Sequence, residues 1–277
     1  MAHAGWNLIA RRQRGGGLPY FRRVLVVIMG LGLVPAILSL RAAGPLAPKA
    51  AAFAAVSGLT FGVYYWTLSR CYRSMSFSAA YPVLRGLAVF LIAAGDVLLG
   101  RPPGLWGVGG MVIVAAGCIL ASFESFGSVS LSRFRPADLR WPAAASLCIV
   151  AFTLLDKTAS RWVPHGPAGA LQYGYLLYFF ALAGVSLATA RPGARRGRTI
   201  PWGWASLAGA LDYGGYVLLL WAFQLASNAA YVYAFRQVSI AVGVLLAAKV
   251  LKERGAGTRL TAGGLIVAGA VLIVLRG

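Results

Sequence analysis

The chain has 277 residues, of which 59% are hydrophobic and only 12% charged, and its mean hydropathy is +0.74. That charged fraction is about half of an ordinary soluble domain's, too little to keep a globule of this size dispersed. It excludes a soluble enzyme, a disordered chain and a disulfide scaffold, and leaves a polytopic membrane protein. The net charge is +20, from 26 Lys and Arg against 6 Asp and Glu. These basic residues cluster between long apolar runs, as orientation signals do, and no zinc-finger spacing or sustained basic helix accompanies them. Nucleic acid is therefore not an expected partner. Cys71, Cys118 and Cys148 are odd in number, widely spaced and without a CxxC, so they read as small apolar side chains.

In chain order, the opening MAHAGWNLIA is apolar but too short to cross a bilayer, and its positive charge follows the apolar part instead of preceding it as in a signal peptide. It reads as the tail of a helix whose beginning is absent. Complete spans are predicted at 24–40, 50–69, 75–99 and 104–123. A longer polar loop, 124–140, follows, and then spans at 141–162, 168–190, 201–225, 228–250 and 259–275. Each has the length a helix needs for a hydrocarbon core of roughly 30 Å. Runs this long without alternation are not barrel strands.

The long loop separates two similar halves, 1–123 and 141–277. SFSAAYPVLRG in the first is echoed by ASNAAYVYAFR in the second. Ala-Ala-Tyr recurs at 79–81 and 229–231, an Arg follows about one turn later (Arg85, Arg236), and each half ends in a Gly-rich helix. Five helices per half is an odd number, so the copies lie in opposite orientation across the membrane. That is the inverted repeat of secondary transporters, whose substrate site lies near the midplane where the halves meet. The predicted fold is all-α: ten helices in two inverted five-helix repeats, the first helix truncated. Eighteen of the Lys and Arg residues fall in loops on one side and five on the other. The richer side is expected in the cytoplasm, with the C-terminus outside.

Charge inside a span is costly, so it faces the bundle interior, water or another charge. Arg85 and Arg236 fall mid-span at equivalent positions, and two guanidiniums on one cavity suit a carboxylate, phosphate or phosphonate. The alternative is structural pairing with Asp156, Asp212 or helix carbonyls. Asp212 and Asp156 are the candidates for proton coupling, although Lys157 beside Asp156 favours a structural pair there. Asp96, near a helix end, is expected to reach interfacial water. Tyr81 and Tyr231 precede the embedded arginines by a turn and are expected to support ligand binding. Pro82 removes a backbone donor early in its helix, where that costs least. Gly107, Gly109, Gly110 and Gly117, with Gly263, Gly264 and Gly269, let helices approach closely, within the bundle in preference to a dimer face. No catalytic pattern, metal set or cofactor motif appears, so no enzyme activity and no cofactor are expected.

These residues resemble the EamA branch of the drug/metabolite transporter superfamily over nearly the whole chain. His3, Trp6 and Asn7 lie in a stretch similar to the HAxWN of one subgroup, some of whose members are associated with phosphonate utilisation. CYRSMSFSAAYPVLRG (71–86) is similar to that subgroup's signature around Tyr-Pro and Arg-Gly. Leu155-Asp156-Lys157 resembles its sixth-helix Asp-Lys, and FRQVSIAVGVLLAAKVLKER (235–254), with Ser239, resembles a late stretch. Glu253 stands nine residues before Ala262 and sixteen before Gly269, as in the family. Three positions depart: Arg101 stands where the first repeat often has Glu, Gln237 where Glu usually follows the Arg, and Ala262 where the other repeat has Gly110. The resemblance implies alternating access around a central cavity and a multi-pass protein of the cytoplasmic (inner) membrane, monomer or homodimer. The expected function is secondary transport of a small polar metabolite, anionic or zwitterionic. The alternatives are export of cationic or amphipathic drugs, a lipid-linked substrate flippase, and a non-transporting membrane partner.

Overall fold

The computed structural model describes residues 17–74, 77–121, 123, 136–190, 199–242 and 256–277. Its helices are α1 (Leu18–Ala43), α2 (Pro48–Ser74), α3 (Phe77–Leu98), α4 (Leu105–Leu120), α5 (Pro136–Ala159), α6 (Pro167–Ala190), α7 (Trp202–Leu225), α8 (Ala229–Arg236) and α9 (Ala256–Arg276). Among the described residues there is no strand. Five segments, within α1, α2, α5, α6 and α7, are long and apolar enough to cross a bilayer, and α4 and most of α9 are shorter apolar helices. Large apolar side chains stand exposed along them, among them Val34 and Leu38 on α1, Val63 on α2, Leu218 on α7 and Val274 on α9. A helix in water would turn polar groups outward there; hydrocarbon is the solvent that suits this surface. The chain is a membrane protein, all-helical among the described residues.

The helices follow the predicted spans, with three differences. First, α1 begins at Leu18, so Arg22 and Arg23 lie inside it and not in the preceding loop. Arg23 turns back to the helix end: its Nη1 donates to the Ile200 carbonyl at 2.5 Å and its guanidinium lies 4.6 Å over the Trp202 ring. A long cationic side chain can thus sit in the first turns of a span with its charge at the interface. Second, α5 begins at Pro136 and absorbs the end of the expected loop, because proline is favoured in a helix's first turn. Third, the expected continuous span at 228–250 is broken at Gln237, as described below.

Contacts divide the chain into two compact units, each drawing on both sequence halves. One contains Ser74–Val150 and Ala226–Gly277, hence α3, α4, the first part of α5, α8 and α9. The other contains, among the described residues, the chain from residue 17 to Arg73 with Ala151–Leu225, hence α1, α2, the last turns of α5, α6 and α7. In the first unit, α4 packs on α9 through glycine. A Cβ on Gly110 would lie 2.7 Å from the Gly269 carbonyl oxygen, one on Gly269 would lie 2.5 Å from that of Gly110, and one on Gly117 would lie 2.8 Å from that of Ala262. Backbones at this distance admit no side chain, so these glycines serve contact within the unit. In the other unit, Gly58 of α2 lies against the Leu177 carbonyl of α6, and Gly62 faces Gly184 with 3.4 Å from an added Cβ to the Gly184 Cα. Its core is aromatic: Phe61 lies 4.5 Å from Phe152, 5.0 Å from Tyr216 and 5.2 Å from Tyr65, between ring centroids.

Candidate functional site

The unit of α3, α4, α8 and α9 holds the embedded arginines. α8 starts with two devices. Asn228, its N-cap, accepts from the Tyr231 backbone N–H at 3.1 Å, and the Asp96 carboxylate accepts from the Ala230 N–H at 2.9 Å. Both satisfy donors that a helix start leaves open, and the negative charge suits that end. Asp96 also pairs with Arg101 Nε at 3.1 Å and is completely buried. The expectation that Asp96 reaches interfacial water is therefore wrong: a helix start and a guanidinium hold it inside.

At the other end of α8 the hydrogen-bond ladder is interrupted. The Gln237 N–H bonds the Ala234 carbonyl instead of that of Tyr233, and the Ile240 N–H bonds the Gln237 carbonyl instead of that of Arg236. Side chains take the carbonyls left over. Gln237 Nε2 donates to the Tyr233 carbonyl at 2.9 Å, and the Ser239 hydroxyl donates to the Arg236 carbonyl at 2.8 Å. Two local polar side chains thus compete with the helix and tighten one turn, after which helix resumes at 238–242. Arg85, on α3 and only 2% exposed, donates through Nη1 to Gln237 Oε1 at 3.4 Å, a long contact. Arg236 is half-buried in the last turn of α8.

The expected ligand hydroxyl of Tyr231 is already engaged: it accepts from the Gly104 N–H, the N-cap of α4, at 2.7 Å, and its ring lies against Gly107. It holds the start of α4. Tyr233, on the helix face that reaches Gln237, is 1% exposed, and its hydroxyl has no hydrogen-bond partner among the described residues. The side chains of Tyr81 and Pro82 lie outside the described residues, as do His3, Trp6, Asn7, Glu253 and the expected partial first helix.

The second unit holds Asp156 and Asp212. Asp156 is 1% exposed and accepts from Ser57 Oγ at 2.6 Å, Tyr173 OH at 2.8 Å and Tyr216 OH at 2.5 Å. Lys157, its neighbour in sequence, sends its ammonium to the Phe223 carbonyl in the last turn of α7, at 2.6 Å, where Ser160 Oγ also donates at 3.2 Å. A cation at a helix C-terminus is favourable. Asp212 is 6% exposed and accepts from Tyr65 OH at 2.8 Å. Tyr65, Tyr173 and Ser57 had no signal in the sequence that set them apart: tyrosine in an apolar run reads as interfacial, and a helical serine reads as filler.

No protein-family model and no curated protein matches the chain. Among solved structures, one known only as the crystal structure of a protein superposes over 99% of this chain and 93% of its own. The TM-score is 0.69 at 15% identity. The fold is thus shared with a solved protein.

Proposed function

We propose that the chain is a secondary transporter of the EamA branch, carrying a small anionic or zwitterionic metabolite, with Arg85 as the residue that receives the anionic group. The observation that carries this reading is a buried guanidinium beside an interrupted helix, its Nη1 donating to the Gln237 amide oxygen at the break. Interrupted helices at embedded charge are where transporters place their ligands. The planar guanidinium suits a carboxylate or phosphonate. Arg236 adds positive charge at the break, and the Tyr233 hydroxyl takes the supporting role first expected of Tyr231.

Two features support an inverted repeat underneath. Tyr65 and Tyr216 are separated by the same 151 residues as Arg85 and Arg236, and each donates its hydroxyl to a buried aspartate. Under that offset α1 corresponds to α6, α2 to α7, α3 to α8 and α4 to α9, and every such pair falls within one compact unit. α1 packs on α6 and α4 on α9, as equivalent elements do beside a two-fold axis. A repeat in sequence and a compact unit in space are then different divisions of one molecule.

A thermal-shift panel of phosphonates, carboxylates, amino acids, sugars and quaternary cations tests the reading, since a ligand of the folded state raises the apparent melting temperature. The expected result is a shift with an anionic compound that Arg85→Ala abolishes and Arg236→Ala weakens. The tyrosine-lined carboxylates Asp156 and Asp212 favour a second reading, export of cationic compounds. A shift with quaternary cations that survives both substitutions would replace the first reading with that one.

A further inference from the structure

Asp156 has no part in binding an anion, yet three hydroxyls from three other helices hold it. It lies in Leu139–Ala159, a segment of membrane-spanning length. Its partners among the described residues are three neutral hydroxyls from three other helices: Ser57 of α2, Tyr173 of α6 and Tyr216 of α7. The nearest cation in sequence, Lys157, donates to the α7 carbonyl at Phe223. An ionised carboxylate inside a membrane protein, held by neutral groups alone, is costly, and a bound proton removes that cost.

We propose that Asp156 with Ser57, Tyr173 and Tyr216 forms a proton-binding site. In the ionised form the carboxylate accepts three O–H bonds, as observed. In the protonated form its own O–H donates to one of those hydroxyl oxygens, and that hydroxyl turns its hydrogen elsewhere. Hydroxyl hydrogens rotate freely enough for this. Ser57 is suited to it, because a serine within a helix can bond the carbonyl one turn back. The only species gained is the proton, taken from water and returned to it. Thr153 supplies the next hydroxyl: it stands three residues before Asp156 on α5, hence on the same helix face, is 1% exposed, and its Oγ1 has no hydrogen-bond partner among the described residues.

The other charged or titratable groups of the cluster belong to the same unit. Tyr64 and Tyr65 lie on α2, Tyr178 on α6 and Lys157 on α5, and Asp212 lies one turn before Tyr216 on α7. Tyr20 of α1 joins through Phe21, which stacks on Tyr65 at 4.6 Å. Asp212 accepts from Tyr65, and Asp156 accepts from hydroxyls on three different helices. As a proton site this stands alone; as the coupling site of transport it rests on the transporter reading.

Infrared difference spectra of the full chain in lipid nanodiscs, recorded against pH, test it. The wild type is expected to show a carboxylic-acid C=O band that titrates. The band disappears in Asp156→Asn and persists in Asp212→Asn. Tyr216→Phe, which keeps the ring and removes one donor, displaces the midpoint by about one pH unit, the size expected for one hydrogen bond to an ion. A band that survives Asp156→Asn, one lost only in Asp212→Asn, or none in the wild type overturns the proposal. Should Asp156→Asn fail to fold, Tyr216→Phe and Ser57→Ala decide: an unmoved midpoint in both overturns it. A titrating Asp156 in a chain that moves no solute would sink the transporter reading and leave the proton site standing, and transport without an Asp156 band would do the reverse.

Discussion

Asp96 joins three parts of one unit: the end of α3, the Arg101 guanidinium and the first turn of α8. Its replacement by Ala would leave Arg101, whose side chain is 8% exposed, beside a helix start with no anion. Breaking a buried pair by removing one partner costs about 3–5 kcal/mol. Asp96→Ala is therefore expected to be among the most destabilising changes in the chain, read as a lowered melting temperature in detergent, and Asn228→Ala to cost only about 1 kcal/mol. Equal losses for the two would mean that the ion pair adds nothing to the cap. At this scale the sequence was informative where a residue was out of place. Arg85 and Arg236 stood out because charge in an apolar run has no ordinary reason to be there, and the structure buries the first and half-buries the second. Asp96 was placed wrongly because its position near a helix end said nothing of Arg101 and α8, which close over it. Ser57, Tyr65 and Tyr173 were invisible because their partners lie on other helices, and hydroxyls carry no cost in a span that a reader of sequence could notice.

Whole helices were more legible than their ends. Apolar length located every described helix, since lipid leaves the backbone little else to do. The start of α1 was misread because snorkelling lets Arg22 and Arg23 belong to the helix. The break after Arg236 was missed because hydropathy averages over Gln237 and Ser239, whose side chains compete for just two carbonyls. Replacing Gln237 with Leu removes that competitor, so the turn is expected to relax towards regular helix and the Arg85-dependent ligand shift to fall. An undiminished shift would separate the break from binding. The glycine contacts offer a cleaner test. Gly110→Ala and Gly269→Ala force a methyl onto the facing backbone, and overpacking of this kind costs about 1–3 kcal/mol. A Cβ on Gly264 meets nothing within 4 Å, and one on Gly109 meets only the Leu272 side chain at 4.0 Å. Alanine at those two is expected to leave melting and oligomeric state unchanged. Losses there equal to those at Gly110 would point to a packing partner beyond this unit.

For the molecule as a whole, composition alone was enough to name the solvent, because so few charges cannot cover a protein in water. The echoing tripeptides and arginines divide the sequence into halves, and the compact units were not legible in it, since each takes helices from both halves. Which helices share a unit depends on close backbone approaches such as Gly110 to Gly269, and small residues occur along every span. Arg85 lies in one unit and Asp156 in the other, so on the proposed function substitutions at Arg85 should abolish ligand binding, whereas substitutions at Asp156 should spare binding and alter its dependence on pH.

The central claim is that the chain moves an anion bound at Arg85. It is tested most directly by solute counterflow in proteoliposomes, using the labelled form of the anion that gives the largest thermal shift. The account predicts transient accumulation of label by the wild type and none by Arg85→Ala reconstituted at the same level. Label that fails to accumulate in the wild type, or that accumulates equally in Arg85→Ala, would contradict it.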